Sequence, residues 1–177
     1  MKKTISVILI VVAFLIIYFL QSNFFTWFNI AGIMPNLFVI LIVFVGLFAG
    51  KKLGLILGLI FGTCLDFFIG RYIGISGILL GAIGLLAEYC DKNFSKDSKI
   101  TIILMVIVST ALFEIGIYVF SLIRNSIDAE ILPFIKILVI EIIYNILISI
   151  IIYPLIHKLG YALENTFKTK TIMTRYF

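Results

Sequence analysis

The chain alternates between long apolar runs and short polar breaks, and the runs set its architecture. Six of them, Thr4 to Leu20, Leu37 to Gly50, Leu53 to Gly70, Tyr72 to Ala87, Ile100 to Ile123 and Ile131 to Ile156, are continuous stretches without period-two alternation. A bilayer core about 30 Å thick takes roughly 20 helical residues. Lipid also requires a spanning segment to satisfy its own backbone, which a continuous run does as a helix. The pattern therefore predicts an all-α, polytopic membrane protein of six transmembrane helices. The second run is short. A start at Ile33 would place Pro35 in the first helical turn, where the missing N–H forfeits no helical bond. On this reading residues 1–160 form one transmembrane domain, and residues 161–177 a basic cytoplasmic or interfacial tail.

Polar punctuation orients these runs. Six spans with the first connection outside put Lys2, Lys3, Lys51, Lys52, Lys92, Lys96, Lys99, Lys158, Lys168, Lys170 and Arg175 in the cytoplasm, eleven of the fourteen basic residues. Arg71, Arg124 and Lys136 fall on or near the outer side, so the positive-inside rule expects both termini in the cytoplasm. Lys2 and Lys3 before an apolar run resemble a secretory leader, but QSNFFTWF offers no small-x-small cleavage site, so the run reads as a retained anchor. The uncharged connection Gln21 to Asn36 carries Phe24, Phe25, Trp27 and Phe28, residue types that settle at the headgroup level or form a docking patch. The tail mixes Lys158, Lys168, Lys170 and Arg175 with Tyr161, Leu163, Phe167 and Tyr176, as an inner-leaflet helix facing anionic lipid would.

Composition agrees: 63% of residues are hydrophobic and 13% charged, against about 25% charged in soluble domains. The formal charge of +5 belongs to the loops and is not a nucleic-acid footprint. Cys64 lies inside a run and Cys90 beside a basic loop, which expects different depths and no disulfide.

Glycines recur every four residues at Gly46, Gly50, Gly54, Gly58 and Gly62, and the same step reaches Asp66, Gly70 and Gly74. Four residues turn a helix by about 400°, so Gly54, Gly58, Gly62 and Asp66 share one face of the third run. Such a face lets another helix approach closely. Gly70 to Gly74 and Gly77 to Gly81, with Gly84 beyond, make the fourth run small-faced as well, so these two helices are expected to pack together. Gly58→Leu or Gly62→Leu is then expected to do more damage than Gly46→Leu.

Ionisable side chains inside the runs are Asp66, Glu114, Lys136 and Glu141, each costing at least about 2.5 kcal/mol near the midplane. At about 1.5 Å per residue, Asp66 and Glu114 lie about 20 Å from the inner boundary and Lys136 about 8 Å below the outer one. These depths coincide, and they predict a cluster in which Lys136 neutralises Glu114 or Asp66. Glu141 and Asn145, four apart, share an inward face continued by Ser149, suited to an interhelical hydrogen-bond network, a proton or solute path, or a partner contact. His157, the lone histidine, sits at the cytoplasmic boundary. No phosphate loop, dinucleotide fingerprint, paired histidines or activated nucleophile is present in the sequence, so neither an enzyme nor a cofactor is expected.

The break PNL at Pro35 to Leu37 opening a span, followed by KKLGLILGLIFGTCLDFFIGRYIGISG, resembles the MreD family of rod-shape determinants. Pro35, Asn36, Gly58, Gly62, Asp66, Gly70 and Gly74 occupy the places of that family's pattern. The resemblance implies a scaffold of the bacterial elongation machinery, working with an MreC-like bitopic protein, MreB and a RodA/class B transpeptidase synthase. It also implies a fold similar to the S components of energy-coupling factor vitamin transporters, whose substrate-binding role is the alternative function. Those modules dock through small residues on their first span, and here that span offers only Ser6 and Ala13.

Overall fold

The computed structural model describes residues 2–69, 73–93, 98–125 and 130–167. Its elements are α1 (Lys2–Phe19), a π-helical turn (Leu20–Phe24), α2 (Phe25–Trp27), α3 (Leu37–Ala49), α4 (Lys51–Ile69), α5 (Ile75–Asn93), α6 (Lys99–Asn125) and α7 (Ile131–Phe167). The described residues contain no β-strand, only the isolated bridge between Ile30 and Ile33. The six apolar runs fall on α1, α3, α4, α5, α6 and α7. Three segments, Thr4–Trp27, Lys99–Arg124 and Ile131–Leu155, are long and apolar enough to cross a membrane, and Leu37–Ala49 and Ile75–Cys90 are shorter apolar helices.

The shortest of the six helices is the most enclosed. Every residue of α3 except Leu41 is buried, and α3 packs against α1, α4, α5, α6 and α7. A helix surrounded by protein has no lipid-facing side to match to the bilayer, which removes the length requirement that a peripheral span must meet. Its thirteen residues begin at the cap Asn36, whose side chain accepts from the Val39 N–H at 3.3 Å. They end at Gly50, whose φ of 92° lies in the left-handed region that glycine tolerates without strain. Gly50 alone joins α3 to α4.

Two boundaries depart from the hydropathy reading. The first helix does not stop at Leu20 but continues through the π turn to Trp27. Polar side chains there bond back to the backbone one turn earlier, Asn23 to the Phe19 carbonyl and Thr26 to the Asn23 carbonyl, so the polar break decorates a helix and does not end it. The connection proper is 28–36. It is a tight turn in which Ile30 and Ile33 exchange backbone bonds at 2.9 Å and Asn29 accepts from the Gly32 N–H at 3.0 Å. The last helix likewise continues through Pro154 and past Ile156 to Phe167, so the start of the expected tail is helical; residues 168–177 lie outside the described residues.

α1 stands at the rim. Ile10 and Phe14 are buried, with Phe14 stacked on Phe61 at 4.2 Å and tilted against Phe38 at 5.4 Å. Ile5, Ile8, Leu9, Leu15, Ile16 and Phe19 are exposed.

Candidate functional site

The glycine ladder closes α4 onto α5. A Cβ added at Gly58 would lie 2.5 Å from the Leu80 carbonyl oxygen, one at Gly54 2.9 Å from the Gly84 carbonyl oxygen, and one at Gly62 would strike the Ser76 and Gly77 backbone. Each step of four along α4 thus meets a step of four in the opposite sense along α5. The contact is backbone against backbone, the close approach that small residues permit. Gly46 belongs to it too: its Cβ would stand 2.6 Å from both the Ala87 Cβ and the Gly84 carbonyl oxygen. The expectation that Gly46→Leu is the milder change is therefore corrected, because α3 enters the same seam from the side.

Carboxylates close the hairpin at both ends. Asp66, buried near the end of α4, accepts from Gly74 N–H at 2.8 Å and Ser76 N–H at 3.1 Å at the start of α5. Glu88, near the end of α5, accepts from Lys51 N–H at the start of α4. Helix N-termini carry unpaired N–H groups and the positive end of the helix dipole, so an acidic side chain there is stabilised twice. Gly74 takes a φ of 97° in the turn that brings its N–H to Asp66. Gly70 lies outside the described residues.

A second polar assembly forms where α3 starts. Asn145, fully buried on α7, accepts from Asn36 N–H at 2.8 Å and donates to Thr110 Oγ1 on α6 at 2.9 Å. Gln21 Oε1 accepts from Leu37 N–H at 3.2 Å. The first turn of α3 is thereby held by side chains from two other segments, with Thr110 of a third bonded to Asn145 behind them. One turn before Asn145, Glu141 is 6% exposed, and its carboxyl group faces the side chains of Glu114, Asn145 and Asn36. Its Oε1 finds no hydrogen-bond partner among the described residues, nor do the buried Ser109 Oγ and Tyr118 Oη.

In front of this assembly lies a cavity of about 540 Å³. Its polar lining includes Gln21, Ser22, Asn36, Asp66, Ser76, Glu114 and Glu141. Tyr18, Phe38, Leu65, Phe113 and Ile117 form apolar walls, and Pro35 stands at the edge. The cavity brings Asp66, Glu114, Glu141 and Asn36 together, with Asn145 bonded behind them. It does not include Lys136, which is exposed on α7 and forms no ion pair among the described residues. The expected neutralisation of Glu114 or Asp66 by Lys136 is corrected on that ground. Depth along a helix fixes height and not direction, and five residues before Glu141 Lys136 is turned about 140° away from it.

Sequence reasoning missed Glu88, Thr110, Gln21 and Tyr144, whose hydroxyl donates to the Phe28 carbonyl. Two had a signal: Glu88 is four residues beyond Gly84 on the small face of α5, and Thr110 is four before Glu114 on α6. Gln21 and Tyr144 act on backbone from elsewhere in the chain and had none. Among the described residues no group of three or more His, Cys, Asp or Glu is placed to hold a metal ion.

The family model described as rod shape-determining protein MreD matches residues 1–162. No curated protein and no solved structure matches the chain.

Proposed function

The chain belongs to the rod shape-determining protein MreD family, and from that membership we propose that it is the membrane scaffold of a bacterial cell-elongation complex, binding an MreC-like bitopic protein. The family is one of structural, shape-determining membrane proteins, and membership implies a role in rod shape determination. Through the bitopic partner the scaffold would reach MreB and a RodA/class B transpeptidase synthase. In this reading six helices cross the inner membrane, both termini are cytoplasmic, and exposed basic residues such as Lys158 meet anionic lipid.

The observation that carries the proposal is the family match over residues 1–162, which takes in every described helix except the end of α7. The rim position of α1 supports it. Only 11% of its apolar window is buried inside the chain, leaving an apolar face free for lipid or a partner's single span. At the end of that face Trp27 is 88% exposed. Phe25 packs edge-on against Tyr144, and Phe24 stacks on Phe28. An aromatic shelf fixed in this way suits recognition at the headgroup level.

The test is depletion in a rod-shaped bacterium carrying the gene, with affinity purification of the tagged chain. Rounded cells and co-purification of an MreC-like bitopic protein are the expected result. Rods that persist on depletion, or recovery of an ATPase pair in place of the bitopic protein, would overturn the scaffold reading, the latter in favour of a transport module.

A further inference from the structure

We propose that the cavity at the Asn36 end of the bundle binds an organic ammonium group on a compact apolar body, with Glu141 as its acceptor. The inference rests on the cavity and does not depend on the scaffold role.

Three observations carry it. First, Glu141 is 6% exposed, lines the cavity, and has an Oε1 without a hydrogen-bond partner among the described residues. A buried carboxyl oxygen left unbonded is costly, and although the side chains of Glu114, Asn145 and Asn36 meet this carboxyl group, Oε1 itself has no partner among the described residues. A donor arriving through the cavity would satisfy it.

Second, the space suits a small ligand. About 540 Å³ falls within the 300–1,000 Å³ usual for small-molecule sites, which combine apolar walls with a few placed polar groups. Tyr18, Phe38 and Phe113 line the same cavity as the acceptor, and aromatic side chains attract ammonium groups as well as apolar bodies.

Third, the chemistry of the lining selects the ligand's charge. Asp66, Glu114 and Glu141 all reach the cavity, and among the described residues no lysine, arginine or histidine lines it. Anionic ligands are disfavoured there. A metal cation would want more ligands, and among the described residues no group of three or more His, Cys, Asp or Glu is placed to hold one. An ammonium needs fewer acceptors, and Glu141 with Glu114 facing it supplies them.

An ammonium group could arrive on a free amine or on the headgroup of phosphatidylethanolamine, and the experiment separates the two. The full chain is reconstituted in nanodiscs of phosphatidylglycerol alone, and thermal unfolding and calorimetric titration are followed with phenethylamine and with phenethyl alcohol, which keeps the body and loses the ammonium. Phenethylamine is expected to raise the melting temperature saturably while the alcohol does not. Glu141→Gln should weaken the amine by about tenfold or more, as loss of a charged hydrogen-bond partner does. Nanodiscs containing phosphatidylethanolamine identify the source: stabilisation by the lipid with loss of the phenethylamine response points to the headgroup, and an unchanged response to the free amine. Absence of stabilisation by both amine and lipid, equal binding of the alcohol, or equal binding by a folded Glu141→Gln protein would each overturn the proposal. The amine-against-alcohol comparison uses the native chain, so it holds even if the variant fails to fold.

Discussion

The α4–α5 hairpin and the assembly between α3, α6 and α7 solve the same problem, joining apolar helices where lipid offers no hydrophobic drive, in opposite ways. The hairpin removes side chains until backbones touch, and it places Asp66 and Glu88 on the two helix starts that need acceptors. The second assembly keeps its polar side chains, bonds Asn145 to Asn36 and Thr110, and leaves Glu141 Oε1 facing a cavity. The difference teaches where to look for function. A region whose polar groups are all answered is a joint, whereas one with an unanswered buried group beside empty space is able to receive something.

Substitutions can break or sharpen that contrast. The largest effect is expected from Gly58→Leu and Gly62→Leu, since the atoms they meet are α5 backbone and cannot step aside. Insertion of even one methylene into a packed core costs about 1–3 kcal/mol, and here a whole side chain is added, so loss of monodisperse protein after detergent extraction is the outcome to look for. Gly46→Leu should be lost with them. Its normal accumulation would detach α3 from the joint.

Next comes Asn145→Ala, which strands the Asn36 N–H and the Thr110 hydroxyl. Leaving a buried group unpaired costs about 1–3 kcal/mol, and a chain of this size loses roughly 2–4 °C of melting temperature per kcal/mol. Asp66→Asn keeps an acceptor on the α5 start but gives up the charge, so a smaller loss of about 0.3–1 kcal/mol is expected, with Asp66→Ala at about 1–2 kcal/mol. Thermal unfolding in detergent ranks the three, and an Asp66→Asn protein weaker than Asn145→Ala would reverse the order of joint and cavity.

Glu141→Gln sharpens the comparison from the other side. A group with an unmet acceptor contributes little to the fold, and its replacement should shift stability by less than about 1 kcal/mol. Smallest of all is Lys136→Gln, within about 0.5 kcal/mol as for an exposed site away from special contacts. A drop matching that of Asn145→Ala would reinstate an ion pair for the lysine.

Much of the joint could be read in the letters, because a step of four fixes both the face and the partner's need for small residues. The shared face of Glu141 and Asn145 was readable for the same reason. The lysine pairing failed because height was used without azimuth, although the spacing of five to Glu141 already carried the information. The continuation of α1 to Trp27 was hidden by polar residues that satisfy their own backbone, and the tie from Asn145 to Asn36 joins distant segments that no local pattern links. Hydropathy also said nothing of enclosure. α3 and α1 read alike as apolar runs, yet one is the centre of the molecule and the other its rim.

The bond from Asn36 to Asn145 has a consequence for biosynthesis. It spans 109 positions of sequence, so while the chain is being made the start of α3 must wait in the membrane with its capping acceptor not yet synthesised. The α4–α5 joint, built from neighbouring segments, is complete well before that. Chains grow from the N-terminus and local units form first. The order of manufacture therefore runs from the closed joint to the open cavity, and a ribosome stalled before residue 145 would leave a bundle with its hairpin made and its binding end unformed.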